Sequence, residues 1–203
     1  DNAFANNKLK TVKISNSLRS IAIGTFANNN ITSVTIPDSV TNIGDSAFDG
    51  NNLSQVTIPD SVTQLGDKAF EFNALKSVTI SKSLTRIGDY AFYYNNLTGV
   101  TVPDSVTEIG DYAFDKAFAI DYSAAPAIKL SNSLTSIGTR AFAENYLDTI
   151  TLPDSIESIG DYAFSDTSLR VVNSSSNTTE DNINLPKSLT NIGAYAFSHN
   201  ALQ

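Results

Sequence analysis

Carboxylates recur along this chain at fixed spacing, and they are the first groups that could do chemistry. Asp38, Asp60, Asp104 and Asp154 each follow a proline, and Asp45, Asp67, Asp89, Asp111 and Asp161 each follow a glycine. Acidic side chains about one strand spacing apart could gather the several oxygen ligands that calcium takes. Aspartate is equally a corner residue whose side chain caps nearby backbone N–H groups. Neither series has the dense D-x-D-x-D spacing of a cation loop, so the corner reading is preferred and no metal or cofactor is expected. The only histidine is His199 and there is no cysteine, which rules out a Cys-His pair and a spaced set of histidine ligands. The carboxylates are periodic rather than convergent, and no glycine-rich phosphate loop is present. No enzyme is expected.

Hydroxyls and phenols form further series. Thr35, Thr57, Thr79, Thr101 and Thr151 recur in step, flanked by Ser33, Gln55, Ser77 and Thr149. Such an array can be a recognition face for a protein or a glycan, or in a very regular solenoid for ice; threonine also simply suits exposed strand positions. Tyr90, Tyr112, Tyr162 and Tyr195 share one position, two before a phenylalanine, with Tyr93, Tyr94, Tyr122 and Tyr146 nearby. Tyrosine is favoured at interfaces for its area and polar tip, although a column of it can also do no more than shield a core edge.

Columns of this kind need elements that repeat. Phe4, Phe26, Phe48, Phe70, Phe92, Phe114, Phe142, Phe164 and Phe197 are separated by 22, 22, 22, 22, 22, 28, 22 and 33 residues, a 22-residue period with one six-residue and one eleven-residue insertion. Asparagine follows three residues later at Asn7, Asn29, Asn51, Asn73, Asn95, Asn145 and Asn200. An aliphatic residue stands two further on, at Leu9, Ile31, Leu53, Leu75, Leu97, Leu147, Leu169 and Leu202. Pairs such as Val34 with Ile36, Val56 with Ile58 and Ile150 with Leu152 alternate with polar residues, which predicts one short strand per repeat with one buried face. Pro37, Pro59, Pro103, Pro153 and Pro186 end it. A Gly-Asp corner such as Gly44-Asp45 follows, where glycine tolerates positive φ. One coil cannot bury its four to five apolar side chains alone, but coils stacked at about 4.8 Å align each column into a continuous core. About nine coils would make a rod or gently curved arc on the order of 45 Å long.

Composition narrows the partners. At 41% hydrophobic and 17% charged residues the chain is too apolar and too patterned for disorder. Its net charge of −8 disfavours nucleic acid and anionic membrane surfaces, both of which reward lysine and arginine. No run approaches the roughly 20 apolar residues of a membrane-spanning helix, so no membrane insertion is expected. The lack of cysteine leaves the redox compartment open.

The pattern L-x-x-V-x-I-P-x-S-V-x-x-I-G-x-x-A-F-x-x-N, read from Leu53 to Asn73, resembles the BspA-type leucine-rich repeat, and the likeness covers nearly the whole chain. Its most specific parts are I-P-D-S-V at Ile36 to Val40 and Ile58 to Val62, and I-G-D-Y-A-F at Ile87 to Phe92, Ile109 to Phe114 and Ile159 to Phe164. The asparagine column stands where the family often carries cysteine, and stacked Asn side chains can bond one another and neighbouring backbone. Ala22 replaces the glycine, Thr25 the alanine, and Ser15, Ser81 and Ser131 the proline. The resemblance implies a β-rich solenoid of 22-residue leucine-rich repeats with a parallel sheet, right-handed, over residues 1–203 as one domain. It also implies a secreted or surface-displayed adhesion protein of a bacterium or a parasitic protist.

The insertions are not explained by the repeat. The first, Asp115 to Ala127, is apolar and aromatic and contains Phe118, Ile120 and Tyr122, which makes it either a dedicated binding feature or a local packing patch. The second, Asn173 to Asn182, is polar, and either Val172 or Ile183 could fill the strand column beside it. The expected function is an extracellular or cell-surface adhesion module for a protein or glycan partner, through Thr35, Thr57, Thr79, Thr101, Thr151, Phe118, Ile120 and Tyr122. The alternative is a passive spacer of a larger surface protein. The chain starts in mid-pattern, which suggests a segment of something longer, and open solenoid ends leave strand edges through which it could associate end to end.

Overall fold

The computed structural model describes residues 1–119, 124–176 and 183–202. Its strands are β1 (Ser20–Ile21), β2 (Asn42–Ile43), β3 (Gln55–Thr57), β4 (Gln64–Leu65), β5 (Ser77–Thr79), β6 (Arg86–Ile87), β7 (Gly99–Thr101), β8 (Glu108–Ile109), β9 (Ala127–Lys129), β10 (Ser136–Ile137), β11 (Thr149–Leu152), β12 (Ser158–Ile159), β13 (Val171–Ser174) and β14 (Asn191–Ile192). All pairings are parallel and join equivalent residues of successive coils, as in Val56 with Val78 and Ile87 with Ile109. The expected strand is present in β3, β5, β7, β9, β11 and β13, but these pair only two by two: β3 with β5, β7 with β9, β11 with β13.

A second strand was not expected. It lies just before the glycine corner and forms two longer sheets, β1-β2-β4 and β6-β8-β10-β12-β14. Each of its strands spans two residues, and in all but β14 one side chain is buried, such as Ile43, Ile87 or Ile109 at 0% exposure. Two residues are too few for alternation to show, so the sequence reads as a corner.

The phenylalanines form one continuous stack through the core. Successive rings from Phe4 to Phe197 lie 5.2 to 5.9 Å apart between centroids and within 20° of parallel. The spacing is 5.3 Å across the first insertion and 5.2 Å across the second, so neither insertion disturbs the stack. Around it lie Ile31, Leu53, Leu75, Leu97, Leu147 and Leu169 of the aliphatic column, all fully buried. Three departures from the repeat are absorbed locally. Where serine replaces proline, at Ser15, Ser81 and Ser131, its hydroxyl accepts the N–H two residues on and closes the same turn.

The glycine corner works differently from the expectation. Among the corner glycines from Gly44 to Gly193 none has positive φ; the positive values fall on Gly24 and Gly50, which stand at other positions. The corner glycine is needed because the preceding coil lies against it. A Cβ on Gly66 would meet the Asp45 backbone N at 2.4 Å. Gly66→Ala is therefore expected to lower stability by about 2 kcal/mol or more, read from the urea midpoint, whereas an alanine tolerated without loss would show that the coils are not in close contact there. Left-handed backbone instead occurs two residues before and two after every stacked phenylalanine, for example at Ser46, Lys68, Tyr90, Phe72 and Tyr94, with φ between 47° and 60°. Those turns recur in all nine coils whatever the side chain, although each costs a non-glycine residue of order 1 kcal/mol.

Candidate functional site

Each asparagine of the repeat turns out to be a main-chain clamp. Asn51 Oδ1 accepts the Ile31 N–H of the preceding coil at 3.0 Å, while its Nδ2 donates to Phe26 O of that coil and to Phe48 O and Asp49 O of its own. Asn29, Asn73, Asn95 and Asn145 repeat the pattern. No bond joins one of these asparagine side chains to another among the described residues; the one side-chain bond within the column is from the Thr167 hydroxyl to Asn200 Oδ1 at 2.8 Å.

The glycine-following aspartates are clamps as well. Asp45, Asp67 and Asp89 each accept, through Oδ1, the N–H of the aspartate one coil further on, at 2.8 to 2.9 Å. Asp111 takes the Thr139 N–H at 2.7 Å and Asp161 the Ala194 N–H at 2.6 Å. Arg86 crosses this column and binds Asp67, Asp89 and Glu108. Among the described residues no group of three or more acidic or histidine side chains is arranged to hold a metal ion.

The threonine face is what remains unspent. Two threonine columns run along the solenoid, and they differ in what their hydroxyls do. Thr41, Thr63, Thr107, Thr135 and Thr190 each donate to a carbonyl of the preceding coil. Among the described residues the hydroxyls of Thr35, Thr57, Thr79, Thr101 and Thr151 make no hydrogen bond to the protein, and all five residues are exposed. The structure sets Thr57 directly against Thr79. Thr101 faces Lys129 and Thr151 faces Asn173, so the column is interrupted after Thr101.

Two grooves open on this face, one beside the paired strands β3 and β5 and one where β5 and β7 do not pair. One, of about 400 Å³, is lined by Thr35, Thr57 and Thr79 with Val56 and Pro59. The other, of about 860 Å³, lies between β5 and β7 and is lined by Thr79 and Thr101 with Val78 and Val100. The face thus brings together Thr35, Thr57, Thr79 and Thr101 but not Thr151. The sequence held one sign of the larger groove: Gly99 and Ala127 stand where other coils carry Gln55, Ser77 and Thr149, which removes side chains from that row.

The first insertion resolves into two parts. Asp115, Ala117 and Phe118 still belong to the coil, and Phe118, 3% exposed, fills the aliphatic column against Leu97 and stacks on Phe114 at 6.0 Å. The segment from Phe114 to that column is one residue shorter than in other coils, which brings Phe118 inward. It is a core side chain and not a contact residue. Ile120 and Tyr122 lie outside the described residues. At the second insertion Val172 takes the strand column, paired with Ile150 and fully buried, while Ile183 is 47% exposed. Asn173 and Ser174, expected in the polar loop, belong to β13 and are buried.

A second surface carries aromatic rings on left-handed backbone. Tyr90 stacks on Tyr112 at 4.5 Å, and Phe72, Tyr93 and Tyr94 lie against one another at 5.4 to 6.1 Å. Lys68 sits over the Tyr90 ring and Arg140 over Tyr112. Just beneath runs an acidic column of Asp49, Glu71 and Asp115. Burial pushes all three carboxyls up, with Asp49 adding to the effect on Glu71. Asp115 reaches about 6, because burial outweighs the hydrogen bond from Arg140 at 2.9 Å. An unfolded aspartate titrates near 3.9, so the folded protein favours the protonated form. That contribution is complete below about pH 4 and is lost as pH rises through about 6. The thermal midpoint of Asp115→Asn relative to the unchanged protein should therefore climb between about pH 4 and 6.5 and be level above that. A difference that is flat across that range would show that Asp115 keeps an ordinary titration.

Stacked parallel coils, buried aliphatic columns and an asparagine clamp define a leucine-rich-repeat solenoid. The BspA type leucine rich repeat region matches in six copies over residues 1–121 and 115–203. The chain belongs to the BspA-type leucine-rich repeat family. No protein of curated function matches it in sequence. Among solved structures, the pneumococcal vaccine antigen PcpA is similar over 100% of this chain and 59% of its own, with a TM-score of 0.56 and 21% identity. A leucine rich cell surface protein from Faecalibacterium prausnitzii is 27% identical over 92% of this chain and 60% of its own, with a TM-score of 0.47. A leucine-rich repeat protein from Eubacterium ventriosum is 17% identical over 96% of this chain and 77% of its own, with a TM-score of 0.45. The chain thus spans about three fifths of the first two.

Proposed function

We propose that the chain is an extracellular or cell-surface binding module that recognises a protein or glycan through its threonine face. The observation that carries this reading is the contrast between the two threonine columns. One is committed to backbone, and the other, at Thr35, Thr57, Thr79 and Thr101, presents free hydroxyls beside two grooves. Membership of the BspA-type family supports the extracellular setting that the resemblance implies. Exposed hydroxyls over an apolar floor suit a partner met by hydrogen bonds and modest apolar contact. Lys129 breaks the column after Thr101, which weighs against an ice-binding array.

The rival reading is a passive spacer, favoured by the uninterrupted phenylalanine stack. The two are separated by interferometry of the purified chain against a panel of extracellular-matrix proteins and glycans. Saturable binding to a member of the panel is the expected outcome. Uniform absence of binding would support the spacer and sink the recognition reading.

A further inference from the structure

We propose that the groove between β5 and β7 binds a short acidic saccharide, whose charged group is held by Lys76 and Lys82. This rests on the reading of the threonine face as a recognition surface and names what one part of it takes. At about 860 Å³ the groove is within the range of small-molecule sites. It exists because β5 and β7 run side by side in different two-stranded sheets. Val78, Val100 and Pro103 give it an apolar floor that a sugar ring can lie on, and Thr79 and Thr101 line it with unspent hydroxyls.

One further polar group at this groove has no partner. Ser39, Ser61 and Ser155 each donate their hydroxyl to a carbonyl of the preceding coil, at 2.7 to 2.8 Å. Ser105 occupies the equivalent position and lines the groove, yet its buried Oγ has no hydrogen-bond partner.

The charge is unusual for a chain of net charge −8. The ionisable groups lining the groove are Lys76, Lys82 and Asp104. Asp104 is already engaged: Asn132 donates to it through its backbone N–H at 2.9 Å and its side-chain amide at 3.2 Å, and Lys129 lies close enough to favour its charge. Lys76 forms no ion pair among the described residues, and Lys82 reaches only the exposed Asp60, at 4.0 Å. Two ammonium groups are thus free for a carboxylate or sulfate. An acidic peptide fits less well. Binding as an added strand needs an accessible strand edge; the outer edges of β5 and β7 are taken by β3 and β9, and their unpaired edges lie against each other.

The test is calorimetric titration of the purified chain with a glucuronate-containing disaccharide, its carboxyl-reduced neutral form, a sulfated disaccharide and a polyglutamate peptide. The glucuronate or the sulfated sugar is expected to bind saturably, with affinity at least tenfold above the neutral form. It should weaken at least tenfold in K76Q/K82Q, several-fold in S105A, and not at all in K187Q, with thermal midpoints confirming that each variant is folded. Which of the two sugars binds more tightly identifies the charged group. Equal binding of the neutral form, indifference to K76Q/K82Q, or preference for polyglutamate would overturn the proposal. If no saccharide binds while a matrix protein of the panel does, this proposal fails and the broader recognition reading stands; if nothing binds in either experiment, both fail.

Discussion

Replacing Asn73 by alanine is expected to destabilise the protein by about 2–4 kcal/mol. Asn73 is 8% exposed and makes four hydrogen bonds. Its Oδ1 accepts the Leu53 N–H at 3.0 Å, and its Nδ2 donates to Phe48 O, Phe70 O and Glu71 O. Alanine leaves a buried donor and three carbonyls without that partner, in a part of the core that water does not reach. The chain contains its own control. In the coil of Phe164 the clamp position is Thr167, whose hydroxyl donates to Phe164 O at 2.9 Å while its carbonyl takes the Leu147 N–H at 2.8 Å. Asn73→Thr should therefore cost less than half as much as Asn73→Ala. Urea unfolding of the three proteins reads both numbers. Equal losses for alanine and threonine would mean that the amide acts by shape and not by hydrogen bonding.

Removing the Phe92 ring should have a larger effect still, about 3–5 kcal/mol for Phe92→Ala. Phe92 is fully buried between Phe70 at 5.9 Å and Phe114 at 5.3 Å, so the cavity has no solvent side through which to collapse. Phe4 provides the comparison. It is 51% exposed and stacks on Phe26 alone, and Phe4→Ala should cost about 1 kcal/mol or less. In a solenoid each coil is held by its immediate neighbours, so hydrogen exchange in Phe92→Ala should quicken most in the coils that carry Phe70 and Phe114. Uniform quickening from end to end would indicate that the whole stack opens as one unit.

The repeat made the architecture legible because its columns are long and redundant. The nine phenylalanines of the column and the strand pairs of alternating aliphatics fix the period, the buried face and the parallel stacking even where two insertions break the count. The finer geometry was hidden for stated reasons. Two-residue strands such as Asn42–Ile43 show no periodicity. Left-handed turns at Tyr90 and Phe72 carry side chains that normally avoid that backbone, so residue type pointed to the corner glycines instead. The role of those glycines depends on how closely the preceding coil approaches, which no single repeat encodes.

The site was legible only in part. The threonine column could be counted, but which of two such columns has free hydroxyls depends on whether a carbonyl of the neighbouring coil lies within reach. Phe118 looked like a loop aromatic because its register depends on a one-residue shortening after Phe114, visible only once Leu97 is seen beside it. The larger groove depends on β5 and β7 adjoining without pairing, and Gly99 and Ala127 were the residues that hinted at it.

The recognition role of the threonine face is tested most directly by placing charge and bulk on it. In Thr57→Glu/Thr79→Glu both substitutions lie on exposed strand positions beside the two grooves, and Thr63→Glu provides a change on the other threonine column. Binding of each to the matrix proteins and glycans of the panel would be compared by interferometry, with thermal midpoints to confirm folding. The double variant should lose at least tenfold in affinity while Thr63→Glu keeps the affinity of the unchanged chain. Unaltered binding by a folded Thr57→Glu/Thr79→Glu would contradict the assignment and move the working surface elsewhere on the solenoid.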